Sequence, residues 1–363
     1  PKGGGVCGYG STAILLPKIK IPHNDLKDLT HPFRLPFFLM RNLLSFLFLL
    51  IPFVAVAQPL RQRSMKRWGV TPANYSGITP LGGNRYAVVS DKEPADGFYT
   101  MQIVQDSVTG KVTQVIPEGY CANPSGTATR DGEGIAYFPQ AGTVFISGEG
   151  DQQILEYSLN GVPTGRQLNV PKEFAIGKIY PNLGFEALTY SDATHHFWTI
   201  SEAPLRADGV PNGPAQPETQ NYLRLQSFTD DLQPLAQYAY RMDLAKSVKP
   251  GRTHCHGVPA LCALPDGRLL VLEREVRISP HYLSSHVECK IFLINPLESH
   301  QIDSYTQFSR LDPNHFMIKT IVATFKTRLN AVQHTFANYE GMCLGRRLCD
   351  GTQTLLLPLT ARQ

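Results

Sequence analysis

The sequence predicts an all-β protein, a β-propeller of six blades with seven as the second choice, incomplete at its C-terminal end. Three observations carry this. Helical periodicity is almost absent, with one short stretch at 244–248. Short β-branched or aromatic runs at 85–90, 143–147, 197–201, 268–272 and 290–294 alternate with Gly, Pro, Asn and Asp, the pattern of strands and turns. Most telling is a repeat: a small or acidic residue with Gly opens an apolar strand, a turn follows, and a second apolar strand ends in an acid.

In chain order, residue 1 is Pro and the first Met is Met40. From there MRNLLSFLFLLIPFVAVAQ has the three parts of a secretory signal peptide: Arg41, an uncharged apolar run at 43–54, and the small-x-small site Ala55-Val56-Ala57 before Gln58. The run is shorter than the ~20 apolar residues of a membrane-spanning helix and contains Pro52, so no stable span is expected after cleavage. Residues 1–39 are then expected to be upstream translation foreign to the natural protein, 40–57 the leader, and 65–363 the propeller domain. The expected location is secreted or periplasmic. Export makes disulfides available. Cys255/Cys262 and Cys343/Cys349 are close in sequence, but spacing does not distinguish pairs from free buried thiols.

The repeat copies follow. They are SGITPLGGNRYAVVSD from Ser76, EGIAYFPQAGTVFISGE from Glu133, EALTYSDATHHFWTISE from Glu186, HGVPALCALPDGRLLVLE from His256, and EGMCLGRRLCDGTQTLLL from Glu340. In the first four, opening and closing positions lie 15, 16, 16 and 17 residues apart, as in a hairpin that returns to its starting edge. Blades of four strands run ~40–50 residues. The longest interval, 256 to 340, has room for a divergent blade near 290–325. The Pro-rich 211–219 reads as a surface loop between strands.

Composition excludes other classes. With 42% apolar and 18% charged residues the chain buries a core, and 30 Gly and 28 Pro make it rich in turns. A net charge of +4 gives no concentrated basic face for nucleic acid. The mature part lacks GxSxG, HExxH and a Walker A loop. His195-His196 reads as an exposed hairpin tip, the loop RADGVPNG as a turn, and Trp68 and Trp198 as packing residues.

The repeat gathers acids at one rim of the channel. Glu133, Glu186 and Glu340 open their copies at equivalent positions and form an expected inner, catalytic ring. Asp91, Glu149, Glu202 and Glu273 close theirs and form an expected metal-binding ring for Ca²⁺. Arg274, Arg206 and Arg224 are candidates to hold an anionic or ester substrate, and His254 and His256 lie at the start of the fourth copy. So many carboxylates need a cation, an arginine or raised pKa values. An equal alternative is that the acids tie neighbouring blades together, in a non-catalytic binding propeller of the cell envelope.

The ordered strings DGEGIAY…FISGEG, NLGFEALTY…WTISEAPLRADG, LPDGRLLVLERE and NYEGM, with the opening SGIT…VVSD, resemble the phytase-like secreted proteins described as having "esterase-like activity of phytase". The resemblance runs from about Tyr75 to Leu357. It implies a β-propeller, export, and hydrolysis of phosphate esters or other esters. At the end the chain departs from the pattern. TLLL runs into PLTARQ with no closing acid, and a frameshift or truncated gene product is expected.

Overall fold

The computed structural model describes residues 13–15, 18–19, 63–91, 93–246, 253–280, 284–328 and 336–362. The leader at 40–57 lies outside them. The described residues form five antiparallel sheets and five single-turn 3₁₀ segments, with no α-helix. No described helix is long and apolar enough to cross a membrane. At 244–246 the backbone is not helical, and 247–248 lie outside the described residues.

Four blades are built from consecutive strands, each pairing with the next. Blade one is Tyr75–Gly82, Arg85–Ser90, Gly97–Gln105 and Val112–Ala122. Blade two is Gly132–Phe138, Thr143–Gly148, Ile154–Ser158 and Pro163–Gln167. Blade three is Phe185–Ser191, His196–Ser201, Tyr222–Thr229 and Pro234–Arg241, extended by Gln301–Ile302. Blade four is Thr253–Ala263, Leu269–Ile278, His286–Ile294 and Lys319–Arg328. In the fifth sheet Phe336–Tyr339 and Cys343–Arg347 both pair with Gln353–Arg362. That strand also pairs with Ala13–Leu15 and Lys18–Ile19, and Ala13–Leu15 pairs with Arg63–Ser64.

The sheets are arranged as a propeller, because no four-stranded sheet covers both its faces alone. Five apolar clusters fill the five junctions. Ala87 and Phe98 of blade one meet Ile135 and Tyr157 of blade two. Phe138 and Phe145 meet Phe185 and Phe197 of blade three. Trp198 and Tyr240 meet Val258 and Val271 of blade four, so Trp198 packs as its sequence context suggests. Leu272 and Ile291 meet Tyr339 and Leu357 of the fifth sheet. Cys343 and Leu356 close the ring on Ile78 and Val88 of blade one.

Two expectations need correction. Among the described residues the sheets number five, not six or seven. The region near 290–325 is no extra blade: His286–Ile294 and Lys319–Arg328 are the outer strands of blade four. Between them the chain crosses to blade three, where Phe308 and Phe316 pack on Tyr222. All six described cysteines are free.

The glycines of the repeat are where neighbouring inner strands touch. A Cβ on Gly77 would lie 2.5 Å from the Glu133 carbonyl, and one on Gly134 2.8 Å from that of Glu186. On Gly341 it would lie 2.1 Å from the Ser76 carbonyl, which is backbone and cannot swing aside. Gly341→Ala is therefore expected to lower stability by roughly 1–3 kcal/mol through overpacking at the closing junction. Urea melts of the variant check this.

Candidate functional site

The acid positions are made by breaks in strand register. Pairing of the first two strands shifts between Tyr75 and Ile78, between Gly132 and Ile135, and between Phe185 and Ala187. A bulge adds a residue to one strand and re-aims its side chain. Ser76, Glu133 and Glu186 sit inside these bulges. In blade four the shift comes later, between Gly257 and Ala260. It begins one residue after His256, whereas in the other blades it begins one residue before Ser76, Glu133 and Glu186; Gly257 pairs with Arg274, and Glu273 next to it points to the opposite face, because successive side chains of a strand alternate.

The shift brings Arg274, not Glu273, to the centre. Arg274 is 4% exposed and lies among three acids, two from blade three and one from the fifth sheet. Its Nη2 is 2.7 Å from Glu202 Oε1 and 3.6 Å from Glu186 Oε2, and its Nη1 is 3.2 Å from Glu340 Oε1. Nη1 also donates to Asn338 Oδ1 and the Tyr339 carbonyl. These carboxylates hold the guanidinium charged against the opposing effect of burial. Burial, then Glu202, push the Glu186 carboxyl well above its usual range despite Arg274. Glu186 Oε2 accepts no hydrogen bond. Cys255 donates its thiol to Glu202 Oε1 at 3.2 Å, and burial with that neighbour drives its pKa up, so it is an inert thiol.

A second group lies between blades one and two. Asp91, Asp131 and Glu133 bring carboxylate oxygens within 4.8 Å of one another. Burial, then Glu340 and Asp91, push the Glu133 carboxyl well above its usual range. The neighbouring Arg130 is bidentate to Asp151, at 2.7 and 2.8 Å. Asp131 was not among the expected site residues. It precedes Glu133 by two in DGEG and sits at φ 59°, a left-handed conformation that Asp and Asn tolerate in turns. Glu149 ties blades, its Oε1 accepting from the Gly184 N–H at 2.9 Å.

Of the expected residues, Glu133, Glu186, Glu340, Asp91, Glu149, Glu202 and Arg274 are buried near the axis. Glu273 is not with them. It accepts from Tyr240 Oη at 2.8 Å and pairs with Lys319 at 2.6 Å, at the junction of blades three and four. Arg206 is exposed; it donates to the Ile179 carbonyl at 2.8 Å and lies over the Tyr180 ring. Arg224 is bidentate to Asp208 at 2.7 Å. His195 is the exposed hairpin tip, at φ 56°.

His256 also faces away from the acids, toward Glu275, Lys290 and Lys319. Burial lowers its pKa to about 4, helped by His254 and the two lysines and opposed by Glu275. Between pH 6.5 and 4 the unfolded chain binds this proton and the folded chain does not. Stability therefore falls as pH drops through that window, by up to about 3 kcal/mol. Comparing urea midpoints of wild type and His256→Gln from pH 4 to 7 checks it: the gap between the two changes with pH only if His256 is the group titrating.

A family model described as "Phytase-like: Esterase-like activity of phytase" matches residues 72–358. The chain belongs to this phytase-like family. No curated protein matches the phytase-like chain. Among solved structures it is similar to a chain of the nidogen/laminin complex, at 10% identity over 86% of this chain and 98% of that one, TM-score 0.35. It is similar to a Lactobacillus plantarum protein, at 8% identity over 87% and 100%, TM-score 0.31. It is also similar to the periplasmic gluconolactonase of Pseudomonas aeruginosa, at 11% identity over 74% and 93%, TM-score 0.28.

Proposed function

We propose that this phytase-like propeller is an exported hydrolase of phosphate esters or related esters, working at the acidic end of its axis with a divalent cation such as Ca²⁺. The observation that carries the reading is the meeting of Asp91, Asp131 and Glu133 beside a second acid set that already has its own arginine. The donor set fits the group: three carboxylates offer hard oxygen ligands, which suit Ca²⁺ or Mg²⁺ rather than a soft metal. Asp91, Asp131 and Glu133 would hold the cation. When bound, such an ion polarises a phosphoryl or acyl oxygen and lowers the pKa of an attacking water.

The chain's own groups have separate tasks in this reading. Glu186, whose carboxyl burial pushes well above its usual range, serves as general acid toward the leaving oxygen. Arg274 positions Glu186, Glu202 and Glu340; both of its Nη groups are engaged there and its Nε is buried, so it is not the clamp for an anionic substrate.

A second reading, a non-catalytic binding propeller, is favoured by the way Arg274 links acids of blade three and the fifth sheet to blade four. Assays with p-nitrophenyl phosphate, phytate and short acyl esters, each with Ca²⁺ and with chelator, separate the two. Hydrolysis dependent on Ca²⁺ is expected. No turnover on any substrate, together with melting that Ca²⁺ leaves unchanged, would leave the binding reading.

A further inference from the structure

We propose that the other end of the axis is a separate binding site for one uncharged single-ring aromatic molecule. A few residues along each inner strand from the acids, the wall turns apolar. Ile78, Ile135, Leu188, Leu261 and Met342, one from each sheet, surround a cavity of about 200 Å³. Between it and the acids the channel narrows to a space of about 10 Å³, walled by Gly77, Gly134, Ala187 and Gly341. That is room for about one water. The two ends are therefore distinct chemical environments on one axis.

Three features select the occupant. The volume exceeds the 150 Å³ of an apolar cavity known to take benzene, so one substituted ring fits. The two threonine hydroxyls at the wall already have partners: Thr79 Oγ1 accepts from the Tyr137 N–H and Thr189 Oγ1 from the Ala263 N–H, both at 3.1 Å. A ligand thus gains little by being polar. No Lys or Arg lines the cavity, and its one ionisable carboxyl is that of Asp192 at the rim, so an anion meets repulsion without a partner. The ring of Tyr190 is a fixed wall. Its hydroxyl donates to Asp230 Oδ1 at 2.9 Å, and its ring meets Phe138 edge-to-face and Phe197 at a tilt, at 5.2 and 4.7 Å between centroids. Flat aromatic ligands gain from such a wall.

Titration of p-cresol into the full chain, followed by calorimetry, tests this. One saturable site is expected, with benzoate bound at least tenfold more weakly. Leu188→Trp and the milder Met342→Phe fill the cavity and should each weaken p-cresol at least tenfold, whereas chelator and Asp131→Asn should leave it unchanged. In the wild type, p-cresol should raise the melting temperature and benzoate at the same concentration should not, a readout that survives if the filling variants do not fold. Absence of a saturable site, equal binding of benzoate, binding unchanged in folded filling variants, or a wild-type melting temperature unmoved by p-cresol would each overturn the proposal. Since none of these readouts involves ester turnover, the fate of the acidic end does not decide them.

Discussion

Arg274→Met is expected to lower stability by roughly 3–5 kcal/mol at neutral pH, which for a domain of this size is a fall in Tm of roughly 6–15 °C. The substitution keeps much of the side chain's volume and removes the charge. Glu202 and Glu340 are then left buried, 2% and 5% exposed, without the guanidinium they share. Leaving a charge uncompensated costs far more than the net worth of the pair. Arg274→Lys should recover only part of the deficit, since an ammonium lacks the planar fork that reaches several acids. Melts of the wild type and both variants check both statements. A loss in Arg274→Met no larger than that in Arg274→Lys would mean that Arg274 acts through packing.

The double substitution Asp91→Asn with Asp131→Asn is expected to reduce Ca²⁺-dependent hydrolysis by about 10³-fold, roughly 4 kcal/mol of transition-state stabilisation. Amides keep the shape and one acceptor oxygen each but give up both charges. Melting in chelator should change little or rise, because the change removes two negative charges beside Glu133, and the stabilisation by Ca²⁺ should vanish. Hydrolysis retained in the double variant would place the chemistry elsewhere. Lost hydrolysis with intact Ca²⁺ stabilisation would separate the cation from the reaction.

Much of this site is legible in the repeat. Acid, glycine, strand, turn, strand and acid recur because a bulge and a close backbone approach recur at each junction, and those demands fix residue types. Ser76, Glu133, Glu186 and Glu340 can therefore be aligned by eye. Glu273 misleads because the bulge of blade four comes later, and a side chain's face depends on register, which letters do not encode. The 17-residue spacing of that copy, against 15 and 16 elsewhere, is the one trace of it. Asp131 is hidden for another reason: its place depends on a left-handed turn outside the strands. The blade count fails because 295–318 has the apolar content of strands but is anchored by Phe308 and Phe316 against blade three.

The junction between the fifth sheet and blade one has a kinetic consequence. Apart from Gln301–Ile302 of blade three, each of the first four blades is assembled from strands near one another in sequence, so its pairings are short-range and quick to find. Closure instead requires Gly341 to seat against Ser76, two segments more than 250 residues apart. Long-range contacts of this kind form late. Until they do, Ile78 and Val88 on one flank and Leu272 and Ile291 on the other lack the residues that cover them in the finished ring. The nascent molecule is then a C-shaped intermediate with two sticky ends, and a second such molecule satisfies them as readily as its own last segment does. Refolding yield should accordingly fall with protein concentration, and losses should be set by the lifetime of the open ring rather than by the stability of the closed one.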